Sequence, residues 1–129
     1  MMALLLVIGS IWVGGSAPDD AARFDGSWVT TITCAAEGWT EGYTLRVPSM
    51  VTDSNFRGEL GTVGDAGYLL IEGRIAENGT ARLTATGNAG SSYNIRAQFQ
   101  EQQGTGSPEE GRGCKVDFLK VSMTSGGVR

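Results

Sequence analysis

Carboxylates, thiols and hydroxyls are the side chains from which this chain could build chemistry, because it contains no histidine. Without imidazole there is no Ser-His-Asp or Cys-His nucleophile system and no histidine metal ligand. Two cysteines alone cannot make a four-cysteine zinc site. General acid/base work would therefore fall to carboxylates, and a glycosidase needs two of them about 5 to 9.5 Å apart across a cleft. Glu59 and Glu72 fall on neighbouring predicted strands, and Asp117 sits between Val116 and Phe118. All three take the outward phase of their strands, which makes them solvated surface. Asp25-Gly26-Ser27 is not the Asp-Thr/Ser-Gly of an aspartic protease and has no second copy. No Gly-Lys-Ser/Thr phosphate loop or EF-hand pattern is present, and Gly104-x-Gly106 lacks the strand-to-helix setting of a dinucleotide site. The expectation is a non-enzyme with no catalytic residue, no cofactor and no metal.

The charge balance restricts partners. Fourteen acidic against ten basic residues give a net charge of -4 and a pI near 4.7. Nucleic-acid binding draws most of its affinity from clustered Lys and Arg, so no nucleic-acid partner is expected. A chain of 129 residues buries a single core. Ala3 to Val13 is a largely apolar run, too short to cross a bilayer, which takes about 20 residues. It has the length of a signal-peptide core, and Ser16, Ala17 and Ala22 are candidate cleavage positions, although no Lys or Arg precedes the run. The competing reading makes it the first element of the fold. The predicted organisation is a leader and short arm over 1–22, one domain over 23–122 and a tail over 123–129, in a periplasmic or secreted monomer without a stable membrane span.

Export suits Cys34 and Cys114, an even pair that oxidises outside the cytoplasm. A redox-active pair usually has Cys-x-x-Cys spacing, which is absent. Their bond would close a loop of about 80 residues, for which the chain-entropy estimate is roughly 4.5 kcal/mol.

After Ala22 no segment carries the apolar rhythm of a helix; short alternating runs separated by glycine-rich turns appear instead. Seven are clear: Ser27–Ala35, Tyr43–Val51, Phe56–Leu60, Tyr68–Ile75, Thr80–Thr86, Tyr93–Gln100 and Arg112–Val121. Asp53-Ser54-Asn55 and Glu77-Asn78-Gly79 are tight-turn signals. Asn78-Gly79-Thr80 also matches a glycosylation acceptor, which the hairpin reading already explains. Gln102 to Gly111 is polar and glycine-rich and reads as a surface loop. One polar face per strand predicts an all-β, antiparallel up-and-down barrel. Cys34 late in the first strand and Cys114 early in the last would then be neighbours, closing the barrel. Closure needs an even strand number, so an eighth strand is sought in Gly87–Ser92 or at a bend marked by Pro48.

The run Phe24-Asp25-Gly26-Ser27-Trp28, with Cys34, Gly42-Tyr43, Gly58-x-x-Gly61-x-x-Gly64, Gly79-x-Ala81-x-Leu83-x-Ala85-x-Gly87, Tyr93-x-Ile95-x-Ala97-x-Phe99 and Gly111-Arg112-x-Cys114, resembles an uncharacterised family of small exported bacterial proteins. The resemblance spans residues 24 to 120 and implies a fold and an exported location but no activity. More distantly, Gly26-x-Trp28 is similar to the opening motif of lipocalins, avidins and small bacterial metalloprotease inhibitors, all calycin-like barrels of eight strands. That likeness implies a Trp28 plugging the barrel base under a cation, with Arg112 the candidate and Lys120 the weaker one. It also suggests inhibition of a secreted hydrolase, for which Pro18–Phe24 is the candidate projecting arm.

The function expected from these features is binding, of a protein or of a small apolar ligand; a carboxylate-dependent hydrolase is the least supported alternative. Trp39, in the glycine-flanked loop Glu37–Gly42, is the candidate anchor, although the simpler expectation folds it over the barrel mouth. Tyr43, Phe56, Tyr68, Tyr93 and Phe99 are candidates to line a cavity, with core filling as the competing role.

Overall fold

The computed structural model describes residues 23–110 and 113–121, and these fold entirely without helix. Eight strands follow in chain order: β1 (Gly26–Cys34), β2 (Tyr43–Thr52), β3 (Asn55–Leu60), β4 (Leu69–Ile75), β5 (Thr80–Gly87), β6 (Ser92–Phe99), β7 (Gln103–Pro108) and β8 (Cys114–Lys120). Each pairs antiparallel with the next, and β8 returns to β1, so the barrel is closed in the order β1 to β8. Because side chains alternate along a strand, most wall segments have an apolar inner face and a largely polar outer face. The leader expected over 1–22, Arg112 and the tail over 123–129 lie outside the described residues. No helix among the described residues is long and apolar enough to cross a membrane.

The closure strands meet as their sequence phases require. Cys34 pairs directly with Cys114 in the β1–β8 ladder, and the two form a disulfide. At the other end of that ladder Trp28 stands opposite Lys120.

The eighth strand is β7, within the segment expected to be a surface loop, and neither Gly87–Ser92 nor Pro48 supplies it. The sequence hides it for a steric reason. Its inward positions include Gly104 and Gly106, so the strand has no apolar alternation to detect. Both glycines are held close to β6: a Cβ on Gly104 would stand 2.9 Å from the Gln98 carbonyl oxygen, and one on Gly106 would stand 2.6 Å from that of Arg96. Pro48 does not bend β2 but stands inside it, opposite Val29 of β1. Pairing of β2 with β3 begins only at Ser49, so Pro48 occupies a stretch laddered on one side, where a missing N–H costs little.

The interior is filled with side chains. Trp28, Phe56, Phe99 and Phe118 form one aromatic cluster, with Phe99 tilted against Phe118 at 4.5 Å between centroids and edge-on to Trp28 at 5.3 Å. Ile71, Leu83 and Ile95 continue the core through the middle of the barrel. Between them lie two buried hydroxyls. Ser49 donates to the Val47 carbonyl at 2.9 Å, so its remaining contact, 2.9 Å to Thr30, is one in which Thr30 donates. Gly58, directly opposite Ser49, leaves the room this hydroxyl needs.

Candidate functional site

The two ends of the barrel are built differently. At the base the connections are tight, and the Phe24-Asp25-Gly26-Ser27-Trp28 run closes the opening. Phe24 is buried, and its carbonyl accepts the Trp28 indole N–H at 2.8 Å. Asp25 accepts the backbone N–H groups of both Asp53 (3.0 Å) and Ser54 (3.2 Å). Those two residues make the whole β2–β3 turn with φ of 54° and 69°, the left-handed backbone such a turn demands. Neither is glycine, so each position costs roughly 1 to 2 kcal/mol, and the Asp25 carboxylate offsets this by binding both exposed donors. Among the described residues the cation at Trp28 is Lys120, whose Nζ lies 5.9 Å from the ring centroid and donates to the Arg23 carbonyl at 3.4 Å. The β1–β8 register sets Lys120, the weaker of the two sequence candidates, opposite Trp28; Arg112 lies outside the described residues. Arg23 itself stacks over Phe24, its guanidinium carbon 4.6 Å from the ring.

At the opposite end, the mouth, the connections are mostly longer: 35–42, 61–68 and 109–113, with 88–91 equal in length to 76–79 at the base. Trp39, Tyr43 and Tyr93, three of the five proposed contact residues, group here, on the 35–42 loop and at the starts of β2 and β6. Trp39 does not fold over the mouth. Glu37 and Thr40 exchange backbone hydrogen bonds of 2.8 and 2.9 Å, and Gly38 turns at φ 59° between them. The resulting hairpin tip carries the indole outward into water, fully exposed. Tyr43 is half-exposed at the start of β2, and Tyr93 is half-buried at the start of β6. Both take the inward phase of their strands at the mouth, and the Tyr93 phenol is raised above its usual pKa first by burial and then by the charge on Tyr43. Leu45 and Leu60 pack partly buried against the core, and Val63 is exposed on the 61–68 loop.

The other two proposed residues do not join this group. Tyr68 precedes β4 but donates its hydroxyl to Glu59 at 2.7 Å, which raises its pKa. Phe56 lies at the base and is 2% exposed, in contact with Phe99 and Phe118. It is core. Trp28 too is core, at 1% exposure.

The carboxylates remain surface groups. Glu72 accepts from Arg57 at 2.6 Å, Glu59 is shared by Tyr68 and Arg57, and Asp117 is exposed on β8. No group of three or more Cys, Asp or Glu among the described residues is arranged to hold a metal ion. Of the candidate arm Pro18–Phe24, Phe24 is anchored in the base and 18–22 lie outside the described residues.

Sequence inspection passed over Val63, Leu45 and Leu60. Their common property is position at the mouth end of the barrel, Leu45 and Leu60 on strands and Val63 on a loop, which becomes legible only once the topology is known. No family model, curated protein or solved structure matches this chain.

Proposed function

We propose that this barrel is a non-enzymatic, exported recognition module that binds a protein partner through its mouth, with Trp39 as the anchor. The observation that carries the reading is a fully exposed indole held by two backbone hydrogen bonds on a hairpin tip. An exposed large aromatic ordinarily costs solubility, and a pre-formed presentation lowers the entropy lost on binding. Buried aromatic anchors supply most of the energy at protein interfaces. Tyr43 and Val63 extend the apolar surface at the same end, and Glu37, Glu41 and Asp65 give its loops an acidic character. The matching partner surface is an apolar pocket rimmed by Lys or Arg.

A protein is favoured over a small apolar ligand because the barrel interior is occupied by its own side chains. The disulfide supports a periplasmic or secreted location. The sheet closes on itself, and its longest stretch laddered on one side, 43–48 of β2, contains Pro48, which supports a monomer.

The test is affinity capture from the extracytoplasmic fraction of the source cell, with oxidised wild-type protein and Trp39→Ala in parallel. The reading expects a partner retained by the wild type and lost from the variant at unchanged melting temperature. Equal retention by both proteins, or no reproducible partner, overturns it.

A further inference from the structure

Three arginines stand in one row across the outer wall, far from the mouth loop that carries Trp39. In the strand ladders Arg74 of β4 is directly opposite Arg82 of β5, which is directly opposite Arg96 of β6. All three are exposed. Like charges directly opposite each other on a sheet destabilise it, and here two such pairs are consecutive in a chain whose net charge is -4. One carboxylate answers them. Glu109 accepts from Arg82 through both its oxygens, at 2.9 and 3.0 Å, and lies 3.7 Å from Arg96. The other nearby carboxylate on β4, Glu72, is engaged by Arg57. Among the described residues Arg74 makes only a 3.3 Å contact, to the Asn55 amide oxygen.

The same three guanidinium groups and Glu109 line one groove of about 650 Å³. A second groove, of about 440 Å³, continues from it through Thr80 and Arg96 and is lined by Gln98, Thr105 and Ser107. The combined trough is charged at one end and rich in hydroxyl and amide groups at the other. It carries no aromatic or large apolar side chain. With strands about 4.8 Å apart, a trough from β4 to β7 runs roughly 14 Å.

We propose that this trough is a binding site for an acidic oligosaccharide of the polyuronate type, in which Arg74, Arg82 and Arg96 take successive carboxylates and Thr80, Gln98, Thr105 and Ser107 bind sugar hydroxyls. Glu109 is the internal stand-in: its carboxylate already sits on the Arg82 fork in the bidentate geometry a ligand carboxylate would adopt. A flat, polar trough without an apolar anchor suits a hydrated chain with regularly spaced charges, and the row spacing suits one with a carboxylate on each unit. Glu109 then competes with the ligand and keeps affinity modest.

The experiment is calorimetric titration of the oxidised protein with a galacturonate hexamer, its methyl-esterified form and a linear polyphosphate, at low and at physiological salt. The hexamer is expected to bind, more weakly as salt rises, and the ester is not. Arg96→Gln and Arg74→Gln should each weaken binding on the order of tenfold, the size of one charge-assisted hydrogen bond. Glu109→Gln should tighten it severalfold, and Arg46→Gln, on β2 outside the trough, should leave it unchanged. Thermal unfolding confirms that each variant is folded. Absence of hexamer binding in both wild type and Glu109→Gln overturns the site. Undiminished binding in Arg96→Gln does the same. Preference for polyphosphate overturns the carboxylate assignment.

Discussion

The two ends of this barrel each present a tryptophan, and the surroundings assign them opposite work. Trp28 at the base is buried, hydrogen-bonded to the Phe24 carbonyl, edge-on to Phe99 and approached by Lys120. Trp39 at the mouth touches none of this core and stands in water on a two-residue tip. The base turns are short, and the β2–β3 turn is held by Asp25. The mouth connections are mostly longer, and their ends are braced by the disulfide. The aromatic cluster sits toward the base, while the exposed indole and the longest connections sit at the mouth. Loops carried on a packed scaffold are where binding residues are most often found.

The largest effect should come from the base. Trp28→Ala removes the plug and its indole hydrogen bond, and a loss of about 3 to 5 kcal/mol is expected in denaturant unfolding. An unchanged midpoint would erase the distinction between the ends. The disulfide should come next. Replacing Cys34 and Cys114 together by Ala opens the 80-residue loop and should cost roughly 2 to 5 kcal/mol. Because those residues are at the mouth end of β1 and β8, hydrogen exchange should rise there before it rises around Trp28. Asp25→Ala should cost about 1.5 to 3 kcal/mol by leaving the Asp53 and Ser54 donors without their carboxylate. Ser54→Gly in that background should recover part of the loss by relieving the left-handed backbone.

A smaller effect concerns alkaline pH. Burial first, then Tyr43, raises the Tyr93 pKa above that of the unfolded chain, near 10.0. A raised folded pKa means that the stabilisation is present below pH 10 and is lost as pH rises through the folded value. Tyr68 acts in the same direction through its hydrogen bond to Glu59. Stability should therefore fall above about pH 10, and Tyr93→Phe should reduce that fall, as read by unfolding midpoints across pH 9 to 11.

Much of the barrel was legible in the residues because alternation is strong where inward side chains are large. Ala81, Leu83 and Ala85 of β5 and Ile95, Ala97 and Phe99 of β6 declare their faces unaided. The phase of Cys34 and Cys114 likewise predicts their meeting. β7 was missed because Gly104 and Gly106 face inward, and glycine carries no hydrophobic signal. The meeting of Lys120 with Trp28 was given less weight because the register that sets them opposite each other is invisible in composition. The exposed pose of Trp39 depends on a local tip geometry that no periodicity reports. The arginine row is a property of three registers at once: each arginine reads separately as an outward residue, and only the ladders align them.

The measurement that bears most directly on the account is a paired one on Trp39→Ala: unfolding free energy and affinity for the captured partner, in the same buffer. The account predicts a stability change within about 0.5 kcal/mol, as for exposed positions, with an affinity loss of at least about 2 kcal/mol, roughly 30-fold. A lowered unfolding midpoint with unchanged affinity would contradict it, making Trp39 part of the scaffold and leaving the mouth without its anchor.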